Sequence, residues 1–154
     1  RHPNRFPEVA QLLDRRGVAW VGRSSREPVH AATSVVLGDT MGELMMFYAA
    51  ADVAFVAGSL VPVGGHNLLE PAALGKPILT GPHNFNGEDI YRKLEEAGAV
   101  TTVADPPALA NALARLLADE AARRGQGERG LEVLESNRGA LARLLALIVP
   151  LLDR

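Results

Sequence analysis

The residues best suited to chemistry fall in three glycine-bearing loops. The first reads Gly38-Asp39-Thr40-Met41-Gly42-Glu43. Thr40 followed three residues on by Glu43 has the spacing of a capping box, in which side chain and backbone at a helix start satisfy each other. Two readings stay open here. The residues start a helix and do no more, or the free N–H groups of Met41, Gly42 and Glu43 also face a ligand oxygen. The second loop runs Gly58-Ser59-Leu60-Val61-Pro62-Val63-Gly64-Gly65-His66-Asn67-Leu68-Leu69-Glu70. Adjacent glycines let backbone come close to a ligand with no Cβ in the way. Asn67 is a suitable N-cap, with Glu70 at the third helical position. The positive end of such a helix suits one phosphate, and Glu70 can accept hydrogen bonds from a ribose diol. A purely structural turn is the alternative. A glycine pair, a histidine and an asparagine at one strand-to-helix junction exceed what a turn needs, which favours a phosphate or sugar site. The third loop, Gly81-Pro82-His83-Asn84-Phe85-Asn86-Gly87, offers polar side chains for a sugar, with His83 read as structural.

Other chemistries find no support. The chain lacks cysteine, so disulfides, thiolate metal sites and a cysteine nucleophile are excluded. Ser59 lacks the flanking glycines of a G-x-S-x-G nucleophile elbow, and no phosphate-binding G-x-x-x-x-G-K-[ST] run occurs. No Asp-x-Asp pair is present to hold a metal–diphosphate, so neither metal nor cofactor is implied. Charge is uneven. Six arginines lie between Arg1 and Arg26, and no Lys or Arg occurs from Glu27 to Gly75. That positive end either meets an anion or is a solvated face.

These loops need a frame to hold them. The 154 residues, 47% hydrophobic and 22% charged, suit one soluble globular domain with a core. The longest uncharged run, Val53 to Leu69, is broken by Pro62 and the glycines and is too short to span a bilayer. Apolar runs at 18–21, 34–37, 53–57, 77–79 and 99–103 read as strands. Helices are predicted over 7–16, 41–51, 67–74, 88–97, 106–118, 120–136 and 138–152, with Gly17, Gly75 and Gly98 as stops. In the last helix Leu141, Leu144, Leu145, Ile148 and Leu152 form a stripe that faces a core or is partly exposed. Uniformly apolar strands alternating with helices imply an α/β fold: a Rossmann-like parallel sheet with helices on both faces. Ligands in such folds sit beyond the carboxyl ends of the strands, where the three loops fall.

Five segments together resemble a known family: Gly38-Asp39-Thr40-Met41-Gly42-Glu43-Leu44, Ala57 to Pro62, Gly64-Gly65-His66-Asn67, Leu69-Glu70-Pro71-Ala72, and Gly81-Pro82-His83 with Phe85-Asn86. They are similar to the Kdo transferases of lipopolysaccharide synthesis, and Arg1-His2-Pro3 with Arg5-Phe6 matches that family's arginine-histidine-proline motif. The resemblance covers nearly the whole chain. It implies one half of a GT-B glycosyltransferase. Residues 1–154 would be a single C-terminal domain that binds the nucleotide sugar, lacking its first strand, with the N-terminal acceptor domain outside this chain. The partners it implies are CMP-Kdo and a lipid A precursor, at the cytoplasmic face of the bacterial inner membrane, with this fragment itself soluble. It further implies that Arg1 and His2 lie near the nucleotide, that Met41, Gly42 and Glu43 run along it, and that Asn67, Leu68, Leu69 and Glu70 lie near ribose and phosphate. Ser59, Gly64, Gly65 and His66 complete the expected donor-binding set. The general base, a glutamate, is expected in the N-terminal domain, so the fragment should bind CMP weakly without turnover. Ala57 and Gly87 depart from the family pattern, and the second loosens the expected sugar contacts of the third loop. Two other readings stand beside this one: the donor domain of a UDP-sugar transferase, and a nucleotide-sugar binding module without catalysis.

Overall fold

The structure, a computed structural model, describes residues 2–137 together with Leu145 and Ile148. It divides into two compact units, residues 1–47 and 48–154. In chain order the elements are α1 (Phe6–Arg15), β1 (Trp20–Gly22), β2 (Val35–Leu37), α2 (Leu44–Ala50), β3 (Ala54–Val56), α3 (Leu69–Ala72), β4 (Ile78–Thr80), α4 (Glu88–Glu96), β5 (Val100–Thr102), α5 (Pro106–Ala118) and α6 (Glu120–Ser136). The expected helix over 138–152 lies outside the described residues apart from Leu145 and Ile148, which are helical and exposed.

In the first unit, β1 and β2 pair in parallel, with Trp20 opposite Val35 and Gly22 opposite Leu37. Helix α1 starts with Pro7 in its first turn, where a missing N–H costs nothing. It ends in a Schellman turn: Val18 N–H reaches Leu13 O, and Gly17 N–H reaches Asp14 O. The Trp20 indole N–H donates to Asp14 Oδ1 at 2.9 Å and fastens the end of the helix to the first strand.

The second unit holds a three-stranded parallel sheet in the order β3-β4-β5. Its strands are covered on both faces, as their unbroken apolar character predicts. Val56, Ile78 and Val100 face a core shared with Leu68, Ala72 and Leu94. Leu79 and Phe55, one residue out of phase, face the opposite side, where Ala112 and Leu116 of α5 meet them. Asp105 and Asp119 cap α5 and α6 by accepting from Ala108 N and Ala122 N.

Two expectations need correction. The strands form two hydrogen-bonded sheets, of two and three strands, rather than one ladder. The helices expected from 41 and from 67 begin later, at Leu44 and Leu69, and α3 is one turn long. Pro71 lies in the middle of the predicted helix, but its missing donor falls in the first turn of the observed one, where it is harmless.

Candidate functional site

In the first unit the loop after β2 carries Met41, Gly42 and Glu43. The capping box expected of Thr40 and Glu43 does not form. The Thr40 hydroxyl donates to the Glu43 carboxylate instead of capping the backbone. Helix α2 opens three residues later, with Glu43 O accepting from Met46 N and Phe47 N. Gly42 explains the delay: its φ of +82° lies outside the helical region. Among the described residues, the amide groups of Met41, Gly42 and Glu43 have no hydrogen-bond partner, and Met41 and Gly42 are exposed. The loop thus offers a run of N–H donors to solvent, though not as a helix terminus.

Glu43 is held by a partner that sequence reasoning counted only as charge. Arg23 donates to Glu43 Oε1 at 2.9 Å, across twenty residues of chain. No local spacing signals such a pair, because it exists only once β1 and β2 are side by side. Asp39 is fixed in the same unit, accepting from Ser24 N at 2.8 Å and from the Ser24 hydroxyl. The Ser24 hydroxyl bond, helped by the Ser24 N–H, holds the Asp39 carboxyl below its ordinary value against a smaller opposing effect of burial. His2 is exposed and precedes the 3-10 turn Pro3–Arg5, and Arg1 lies outside the described residues.

In the second unit the loops after β3 and β4 are knitted into one. Gly65 N–H bonds Gly58 O at 2.8 Å, which closes the glycine loop on itself. His83 N–H bonds Ser59 O at 2.9 Å, and Asn86 N–H bonds Gly64 O at 3.0 Å. Asn84, buried, accepts from the Thr80 hydroxyl at 3.0 Å and donates to Gly81 O at 2.7 Å. The glycines are required by closeness as well as by φ. A Cβ on Gly64 would stand 2.4 Å from the Asn86 amide, and one on Gly65 would stand 2.5 Å from Asn84 Oδ1.

This geometry revises several roles. Ser59 is fully buried, and its hydroxyl donates to Val56 O at 2.9 Å while accepting from Gly81 N at 2.7 Å. It holds the loops and presents no group to solvent. Asn84 and Asn86, read as sugar contacts, are braces of the same loops; Asn86 reaches Val63 O and Gly65 O as well. Gly64, Gly65 and Leu68 are buried, so they shape the loop from beneath. Asn67 is not the N-cap. Leu68 occupies that position, and Asn67 Oδ1 accepts from Leu69 N at 3.1 Å as an Asx-turn one residue further out. Glu70 therefore stands at the second helical position, half-buried, with no hydrogen bond or ion pair among the described residues. A one-turn helix has little macrodipole, so the loop amides, more than the helix end, are what this region can offer an anion. His66 is exposed, with its ring beside Gly58, where a Cβ would stand 3.1 Å from Nε2.

Among the described residues no group of three or more His, Asp or Glu side chains is placed to hold a metal ion. Nor is any described helix long and apolar enough to cross a membrane.

Known proteins fit this arrangement. The family model of the glycosyl transferases group 1 matches residues 23–133. The 3-deoxy-D-manno-octulosonic acid transferase of Haemophilus influenzae is 48% identical over all of this chain and 36% of its own length. The enzyme of the same name from Bordetella pertussis is 42% identical over 94% of this chain and 34% of its own. This chain thus spans about a third of the length of these curated relatives. A crystal structure described as the C-terminal CMP-Kdo binding domain of WaaA from Acinetobacter baumannii superposes with a TM-score of 0.84. It is 37% identical and is matched over 87% of this chain and 70% of that one. The chain belongs to the glycosyl transferases group 1, and within them it is similar to the 3-deoxy-D-manno-octulosonic acid transferases and the C-terminal domain named above.

Proposed function

We propose that this chain is the donor-binding domain of a Kdo transferase, holding CMP-Kdo while the sugar passes to a lipid A precursor. The observation that carries the reading is the likeness to the CMP-Kdo binding domain, at 37% identity over 87% of this chain. The site residues support it. Two sets of backbone and acidic groups suited to a nucleotide lie on loops that follow parallel strands, one in each unit: Met41 to Glu43, and His66 to Glu70. In parallel α/β folds such loops are where ligands bind.

In this reading Glu70 or Glu43 accepts from the ribose hydroxyls through its carboxylate, and the amides of Met41, Gly42 and Glu43 donate to oxygens along the nucleotide. Arg1 and His2 complete the set near the phosphate. Departure of CMP leaves negative charge on its phosphate, and fixed N–H dipoles with a guanidinium stabilise that charge with no reorganisation at the moment of transfer. The acceptor hydroxyl loses its proton to a glutamate of an N-terminal domain, so this chain alone binds and does not turn over. The whole protein works at the cytoplasmic face of the inner membrane, where its lipid acceptor is found.

Calorimetry with CMP tests the reading. Heat of binding at millimolar CMP, with UDP competing poorly, supports it. No heat at that concentration overturns it, and a clear preference for UDP moves the chain to a UDP-sugar donor domain.

A further inference from the structure

We propose that Gly127, on α6, is a positioning residue that sets where the Glu70 carboxylate stands for the ribose. The inference rests on the donor-binding reading above. Helix α3 is one turn, and a single turn does not hold its shape in isolation. Its placement comes from packing: Pro71 and Ala72 are buried, and α3 lies against α6.

Three glycines lie inside α6, each costing about 1 kcal/mol of helix stability relative to alanine. Two of them are dispensable on the geometry. A Cβ on Gly125 would meet only the flexible Arg129 guanidinium at 3.4 Å, and one on Gly130 would rest on Ala72 at 3.6 Å, an ordinary contact. Gly127 differs. Its Cβ would stand 1.9 Å from Gly75 O and 2.7 Å from the Gly75 carbonyl carbon, and backbone cannot step aside by changing rotamer.

Helix α6 is not free to retreat either. Gln126, next to Gly127 and buried, donates through Nε2 to Ile78 O at 3.1 Å and Ala99 O at 3.2 Å, which bolts the helix to β4 and to the residue that leads into β5. A side chain at position 127 therefore displaces α3. The Schellman turn that closes α3, with Lys76 N–H on Pro71 O, carries that displacement from Gly75 back into the turn bearing Glu70.

The test compares Gly127→Ala with Gly130→Ala in the full chain, since both gain the same helix propensity. Calorimetry measures affinity for CMP and for 2′-deoxy-CMP. Wild type is expected to prefer CMP by about tenfold, the worth of one hydrogen bond to a charged acceptor. Gly130→Ala keeps that preference, and Gly127→Ala loses most of it, with CMP binding reduced to the level of the deoxy compound. General damage would weaken both ligands and keep their ratio. Leu131→Ala is a milder variant for the case where Gly127→Ala does not fold, because the Leu131 side chain lies under Gly75. It should lower the ratio by about threefold. An unchanged ratio in every folded variant of this pair overturns the role of Gly127. A wild type that binds both ligands equally overturns the Glu70 contact with the ribose and with it the role of Gly127, whereas a wild type that binds no CMP overturns the donor-binding reading on which the role depends.

Discussion

The Ser59 hydroxyl accepts the Gly81 N–H at 2.7 Å and donates to Val56 O at 2.9 Å, so one buried side chain joins the end of β3 to the end of β4. Ser59→Ala leaves the buried Gly81 N–H without its partner, while Val56 O keeps the Thr80 hydroxyl at 3.4 Å, so the cost is about 1–3 kcal/mol for the one group left bare. Thermal unfolding should fall by several degrees, while CMP binding measured well below the transition stays near wild type. A large loss of affinity in a folded variant would return Ser59 to the role of a ligand-binding residue.

Gly81 faces the same joint from the other side. A Cβ there would stand 2.3 Å from Ser59 O and 2.5 Å from Leu60 N, all backbone. Gly81→Ala should destabilise the chain by more than about 3 kcal/mol, among the largest single-residue effects. Gly87→Ala is the control, because a Cβ there meets nothing within 4 Å. Equal denaturation midpoints for the two variants would contradict this packing.

The Arg23–Glu43 pair is half-exposed, with side chains 38% and 30% accessible, so it contributes under about 1 kcal/mol to stability. Glu43→Gln should hardly move the unfolding temperature. It should weaken CMP binding by about tenfold, because the carboxylate that Arg23 and Thr40 hold in place is lost. The reverse pattern, a less stable chain with normal affinity, would mark Glu43 as structural.

Asp39 makes an acid-side prediction. Its carboxyl is held below the ordinary value, chiefly by the Ser24 hydroxyl. A depressed folded-state value means that the stabilisation is present above the unfolded-state value, about 3.9, and is lost as pH falls through the lower folded-state one. Ser24→Ala should raise the Asp39 midpoint toward the ordinary value in a carboxyl NMR titration. It should also soften the loss of stability below about pH 4. An unmoved midpoint would mean that Ser24 is not the cause.

Much of the fold was legible because its signals are local. Apolar runs of three to five residues gave the strands, and Gly17, Gly75 and Gly98 marked helix ends that close as Schellman turns. The helix starts were misread for a physical reason. Thr40…Glu43 and Asn67…Glu70 both have capping-box spacing, yet Gly42 at φ +82° and the Asx-turn of Asn67 push each start further along. The glycine loop was recognised as unusual from composition alone. That its polar residues mostly bind one another could not be read, since Ser59 meets Gly81 across twenty-two residues and Arg23 meets Glu43 across twenty. Such pairs depend on strand adjacency, which no local pattern encodes.

The most direct measurement is an amide-resolved NMR titration of this chain with CMP. The account predicts that Met41, Gly42, Glu43 and residues 66–70 shift together along one binding curve, while the amides of α5 stay still. No shifts at saturating CMP, or shifts confined to residues outside those two loops, would contradict it.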